Sequence, residues 1–211
     1  MSTAIDRPTI TVSQYHSLQP LTLQPTPEAL FAYQVWKLKD VGLDLLDTDI
    51  SRLCELIPQE PQLFLVIPRR PGNPDWRALM RLVTIDGTAG LNRLTHQESL
   101  ADKVPIWQQA HLLIDVEDGR EYLNKKPSDS FRRIQQKDRV PYTVWYGIIH
   151  CILFPFVLQD HSLDLCGTSY HDNQVPNIGL RLDRVPSLDC GSGQQAHPDF
   201  GTPSAGSIRI S

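Results

Sequence analysis

An α+β fold, with a mixed and mainly antiparallel sheet, helices on one side and a C-terminus rich in strands and loops, is what this sequence predicts. Three observations carry that expectation. Helical periodicity is confined to residues 26–60 and to a middle segment, short apolar runs bounded by Pro, Gly and Asp fill much of the rest, and strand and helix never alternate regularly. Regular alternation would mark a parallel, doubly wound sheet, so its absence favours segregated helices and antiparallel strands. The length of 211 residues fits one domain, expected over 26–211 with a helical part at 26–60. Residues 1–25 lack a basic start, an apolar run and a small-residue cleavage site, and are expected to form a mobile leader.

The elements follow from local chemistry. Thr26-Pro27-Glu28 offers a hydroxyl cap, a proline where no amide partner is lost and an acid at the positive helix end, and Phe31, Val35 and Leu38 then recur at helical spacing. A second helix is predicted from Asp47 or Thr48, with Ile50, Leu53, Cys54 and Ile57 on one face, stopped by Pro58 and Pro61. The continuous apolar run Leu63 to Ile67 reads as a buried strand, and Met80 to Ile85 as another. Asp118-Gly119, flanked by apolar runs between Leu112 and Asn124, predicts a hairpin tip that pairs Glu117 with Arg120. Ser128 opens a helix to Lys137, and Thr143 caps a buried helix that Pro155 ends. Short alternating pieces, Leu163 to Cys166, Asn177 to Leu182 and Val185 to Leu188, complete the sheet.

Charge and composition exclude several functions. Twenty Lys plus Arg against 24 Asp plus Glu give a formal charge of -4, with no global attraction to polyphosphate, so nucleic acid is not the expected partner. The one basic segment, Lys125 to Arg139, adjoins an acidic one, Asp115 to Glu121, with which it can pair. The longest apolar stretch, Val144 to Leu158, contains Gly147, His150 and Pro155 and is shorter than the roughly 20 residues of a membrane span. Four cysteines without a CxxC pair suit free thiols in a cytoplasmic, soluble protein. Neither a Walker sequence nor GxGxxG occurs.

Two chemistries can be assembled from the C-terminal region. Cys166, His171, Cys190 and His197, with Asp172 and Asp199 adjacent, are the residue types of a tetrahedral zinc site, although six residues between Cys190 and His197 is wide for a finger. The same region allows a Cys190 thiolate with His197 as base and Asp199 or Asp189 orienting it, if Gly191-Ser192-Gly193 reverses the chain and supplies amides to an oxyanion. The competing structural reading packs the cysteines as small hydrophobes beside loop histidines.

The stretch from Leu63 to Arg209 resembles a bacterial family described only as a domain of unknown function. The resemblance is carried by Leu63 to Pro68, by Asp118-Gly119 with Glu121-Tyr122-Leu123-Asn124, by Pro141, Thr143-Val144 and Gly147, and then by Gly167, Val175-Pro176, Cys190, His197, Gly201 and Ser204-Ala205-Gly206. Cys190 and His197 fall on the family's own Cys and His. This chain departs from the family where Trp145 and Tyr146 replace acidic positions, Tyr170 an arginine, and Asp189 and Gly191 two tryptophans. The resemblance implies no substrate, cofactor or partner. Because none of these spacings is that of an established catalytic motif, the expected function is a binding or interaction module whose C-terminal loops frame a pocket for a small molecule or a protein. The alternative is a Cys190/His197 hydrolase or transferase, or a zinc-stabilised site.

Overall fold

The computed structural model describes residues 26–43, 45–60, 62–171 and 173–210. The expected leader, residues 1–25, and Asp172 lie outside the described residues.

Helix α1 (Pro27–Asp40) begins as its sequence requires, with the Thr26 hydroxyl accepting the Ala29 amide at 3.2 Å and Pro27 in the first turn. It buries Leu30, Phe31 and Leu38, and also Gln34. The Gln34 carboxamide donates to the Phe64 carbonyl at 2.9 Å and accepts the Val66 amide at 2.8 Å, so it stands in for a neighbouring strand on the open edge of β1 (Phe64–Ile67). Helix α2 (Asp47–Glu55) starts where expected but turns Asp49 and Leu53 inward and leaves Cys54 exposed. Arg69 dictates that rotation, donating to both carboxylate oxygens of Asp49 at 2.7 and 2.8 Å.

The strand expected at Met80 to Ile85 is mostly helix. The Asp75 carboxylate accepts the Arg77 and Ala78 amides at 3.0 Å each, which starts α3 (Trp76–Leu82) and directs Trp76, Leu79 and Met80 to the core. Only Thr84–Ile85 (β2) is extended, paired with Thr88–Ala89 (β3). Two further short strands, β4 (Leu91–Asn92) and β5 (Leu100–Asp102), follow.

The hairpin expected at Asp118-Gly119 is also absent. Strand β6 (His111–Glu117) instead lies inside a four-stranded antiparallel sheet of order β1-β6-β13-β7, where β7 is Val140–Pro141 and β13 is Ser204–Ile210. A single 3-10 turn, Arg120–Tyr122, follows in place of a return strand, and Glu117 lies opposite Ser204 rather than Arg120. Asp118 is fully buried, with its carbonyl accepting from Nε2–H of His161 at 2.9 Å. Gly119, at φ 110°, is needed for close approach as well as for its backbone angle, since a Cβ there would sit 2.9 Å from the Gly201 carbonyl carbon. The basic segment forms helix α4 (Pro127–Gln136) and its exit, and pairs with the acidic one through Arg139–Asp115 and Lys137–Glu121.

Helix α5 (Val144–Leu153) is buried at every position, with the Thr143 hydroxyl accepting the Tyr146 amide at 3.4 Å. It packs on α1, α3, β1 and the second sheet, and no helix among the described residues is long and apolar enough to cross a membrane. A short helix, α6 (Val157–Asp160), leads into that second sheet. Its strands are β8 (Ser162–Asp164), β9 (Thr168–Tyr170), β10 (Gln174–Leu180), β11 (Pro186–Ser192) and β12 (Phe200–Gly201), joined by β4 and β5. The order β12-β8-β10-β11-β4 is antiparallel except where β12 meets β8 and β4 meets β11. The fold is α+β, with its strands divided between two larger sheets and the core helix α5 packed against both.

Candidate functional cleft

The register of the second sheet places three polar side chains in a row. Asn177 of β10 is paired with Asp164 of β8 on one side and with Asp189 of β11 on the other, so the three point to the same face. Ser187 lies beside Gly179 in the adjoining pair. Gly179 is required there, because a Cβ would meet the Ser162 hydroxyl at 2.2 Å. The opposite face carries Leu163, Ile178 and Leu188 into the core, all fully buried.

The polar face is not covered by another layer. The loop after β11 curls over its edge, held where the Asp199 carbonyl accepts the Ser162 amide at 2.8 Å, and places His197 edge-on to Phe200 with ring centres 4.6 Å apart. Between this loop, the sheet face and the β10–β11 turn lies an open cleft of about 660 Å³, with a side chamber of about 210 Å³ reaching Asp164. Asn177, Arg181, Asp189, His197 and Phe200 line both parts. Arg181 donates to Asp189 at 3.1 Å, and Arg93 donates through Nε to the Ser187 hydroxyl at 3.2 Å.

The floor is electrostatically unfinished. Asp164 is 5% exposed and Asn177 6%, and neither side chain forms a hydrogen bond or ion pair with any described residue. Burial pushes the Asp164 carboxyl up to about 7, with no donor to oppose it. A desolvated carboxyl of that affinity in a polar cleft is a mark of functional sites.

The residues expected to form a site are dispersed. Cys166 is fully buried in a small cluster with Tyr122, Ile134 and Val175, its thiol pushed up to about 12, chiefly by burial. His171 stacks edge-on against Tyr170 at 4.3 Å, with the His96 ring 5.7 Å away. The Cys190 thiol donates to the Gln174 carboxamide oxygen at 3.6 Å, and strand alternation puts it on the face of Leu188, opposite to Asp189. Burial and the neighbouring Asp189 push this thiol upward, away from thiolate formation. His197 lines the cleft, but its Nδ1 accepts the Asp199 amide at 3.3 Å, while the Asp199 carboxylate stands 4.0 Å away. An imidazole held as a base by an acid would donate from that nitrogen instead. Among the described residues no group of three or more His, Cys, Asp or Glu side chains stands where it could hold a metal ion.

Thus the structure brings His197, Asp199 and Asp189 to one cleft, places Cys190 at the border of its side chamber with the thiol bonded to Gln174, on the opposite face of β11 from Asp189, and leaves Cys166 and His171 elsewhere. Asp164 and Asn177 were missed. A faint signal for the first was present: an acid between Leu163 and Leu165 in a strand whose neighbours are apolar.

A family model spans residues 30–205, including every strand of the cleft floor. The chain belongs to DUF5701, a family of unknown function. The match reaches into α1, further toward the N-terminus than the resemblance that began at Leu63. No curated protein and no solved structure matches this DUF5701 chain.

Proposed function

We propose that the protein is a small-molecule-binding module without a nucleophilic centre, and that its ligand lies on the polar face formed by β8, β10 and β11. One observation carries this reading: Asp164 and Asn177 are adjacent, almost fully buried and unpartnered at the bottom of an open cleft. Buried polar side chains are ordinarily hydrogen-bonded within the protein, whereas the polar atoms of these two open onto the cleft, where a partner has to come from outside the chain. Two such groups side by side, facing an opening of ligand size, are accounted for when a ligand supplies the missing bonds.

Gly191 provides the test. It borders the side chamber, its backbone angle suits any residue, and a Cβ there would meet only Asn177 Nδ2, at 3.4 Å. Gly191→Leu therefore fills the cleft with little strain on the sheet. Saturation-transfer NMR on a mixture of amines, amino acids, sugars and small carboxylates should give signals with the native protein that the variant loses. Equal signals from the two proteins, or none from either, would refute the reading.

A further inference from the structure

We infer that the ligand of this cleft is a small primary amine, whose ammonium group is held by the Asp164 carboxylate and the Asn177 carboxamide oxygen. The inference rests on the binding reading above and adds the chemical class of the ligand. It comes from comparing Asp164 with the other buried aspartates. Asp49 takes two hydrogen bonds from Arg69, at 2.7 and 2.8 Å. Asp102, with its side chain 6% exposed, accepts from Arg70 at 2.6 Å and from the Thr168 hydroxyl at 2.5 Å. Asp118, fully buried, has the Arg120 guanidinium at 3.4 Å and accepts the Arg120 amide. The fold thus supplies each of these acids with a cation. Asp164 is buried to the same degree and has none, although two arginines border its cleft.

Those two arginines are engaged elsewhere, Arg181 on Asp189 and Arg93 on Ser187. Asp164, Asp183, Asp189 and Asp199 line the two chambers against Arg93 and Arg181, so the surplus is acidic. A cation is attracted into such a cleft and a carboxylate or phosphate is repelled. The cation is not a metal such as calcium, which takes six to eight oxygens: among the described residues no three His, Cys, Asp or Glu side chains stand where they could hold a metal, and of the two carboxylates beside Asn177 one is already paired with Arg181. An ammonium group carries three donors and no acceptor, so it can satisfy a carboxylate and an amide oxygen together. Phe200, with Leu180 and Leu182 at the mouth, gives a carbon chain apolar surface to lie against.

The test uses the intact protein and four-carbon probes in the millimolar range: 1-aminobutane and 1,4-diaminobutane against 1,4-butanediol and butanoate. Calorimetric titration and melting curves should show binding by the two amines only. Asp164→Asn, which keeps the shape and removes the charge, should weaken that binding by about tenfold or more, as expected for a charge-assisted hydrogen bond. Should Asp164→Asn not fold cooperatively, Gly191→Leu, which leaves Asp164 in place, must abolish amine binding on its own. Amine affinity unchanged in a folded Asp164→Asn or in Gly191→Leu overturns the assignment. Binding of the diol or of butanoate without the amines, lost in Gly191→Leu, overturns the amine class while sustaining the cleft as a ligand site. Binding of none of the probes overturns the amine assignment, and an equally empty result from the metabolite mixture removes the cleft reading with it.

Discussion

Replacing Asp164 with Asn should make the protein more stable, by an amount that grows as pH rises from about 4 to about 7. The carboxyl is 5% exposed and its proton affinity is raised from the ordinary 3.8 to about 7. At about 1.4 kcal/mol for each tenfold change, that rise sets an upper bound of about 4 kcal/mol for the cost of ionising Asp164 in the folded chain. Relaxation and water entry reduce it, so about 2–4 kcal/mol is expected. The groups around it are Asp189 from β11, Arg181 from the β10–β11 turn, His197 from the loop after β11, and Cys166 just beyond β8. The direction follows from linkage: a carboxyl raised in the folded state binds its proton more tightly than the unfolded chain does, so its contribution to stability is greatest below the ordinary value and falls as pH rises to about 7. Asparagine has no such decline. Thermal melting of both proteins between about pH 5 and about pH 8 should show the gap opening with pH, reaching roughly 5–15 °C in Tm for a chain of this size. Glu117, His111 and His150 also carry burial-shifted pKa values, but they do so in both proteins and cancel in the difference. A less stable variant at pH 8, or a gap that does not change with pH, would refute the reasoning.

The same structure makes opposite predictions for acids that have partners. Asp102→Ala should cost about 3–5 kcal/mol, because it leaves the Arg70 side chain, 12% exposed, without its carboxylate, and a loss of less than about 1 kcal/mol in the unfolding free energy from urea titration would contradict that. Gly147→Ala should lose about 1–3 kcal/mol by thermal melting, since its Cβ would lie 2.4 Å from Leu165 Cδ2 inside the core. Iodoacetamide near neutral pH should label exposed Cys54 first, leave Cys151 and Cys166 protected, and label Cys190 slowly at a rate that His197→Ala does not alter. Peptide mass mapping reads the order directly, and a fast, His197-dependent Cys190 would restore the nucleophilic reading.

Where the sequence was legible, a few adjacent residues did the work. Thr26-Pro27-Glu28 and Thr143 specify helix starts through hydroxyl caps that need no distant partner, and both helices begin as read. The run Met80 to Ile85 misled because its apolar residues fit either period, and the deciding residue, Asp75, lies upstream as a cap on two amides. Asp118-Gly119 misled for a different reason. A glycine after an aspartate tolerates a reversing turn, but here it is demanded by the backbone of Gly201, eighty-two positions later, and the strand before it already has both neighbours.

The site was less legible than the fold because its decisive property is a missing contact. Residue types can suggest that Cys190 and His197 meet, but the face of β11 that Cys190 occupies depends on the pairing of β10 with β11, which turns the thiol to the side of Leu188, while the loop after β11 carries the imidazole to the cleft. Asp164 is the sharper case. In the sequence it is one acid in an alternating strand, of the kind that normally faces water. The β8–β10 register and the returning loop bury it instead, and the arginines that satisfy Asp49, Asp102 and Asp118 lie on other elements. A fold selected for stability alone would have placed an asparagine or a cation there. Retaining an unpaired carboxylate at the bottom of an open, acidic cleft lowers stability at neutral pH, and the gain that offsets this loss is realised when a cationic ligand occupies the site.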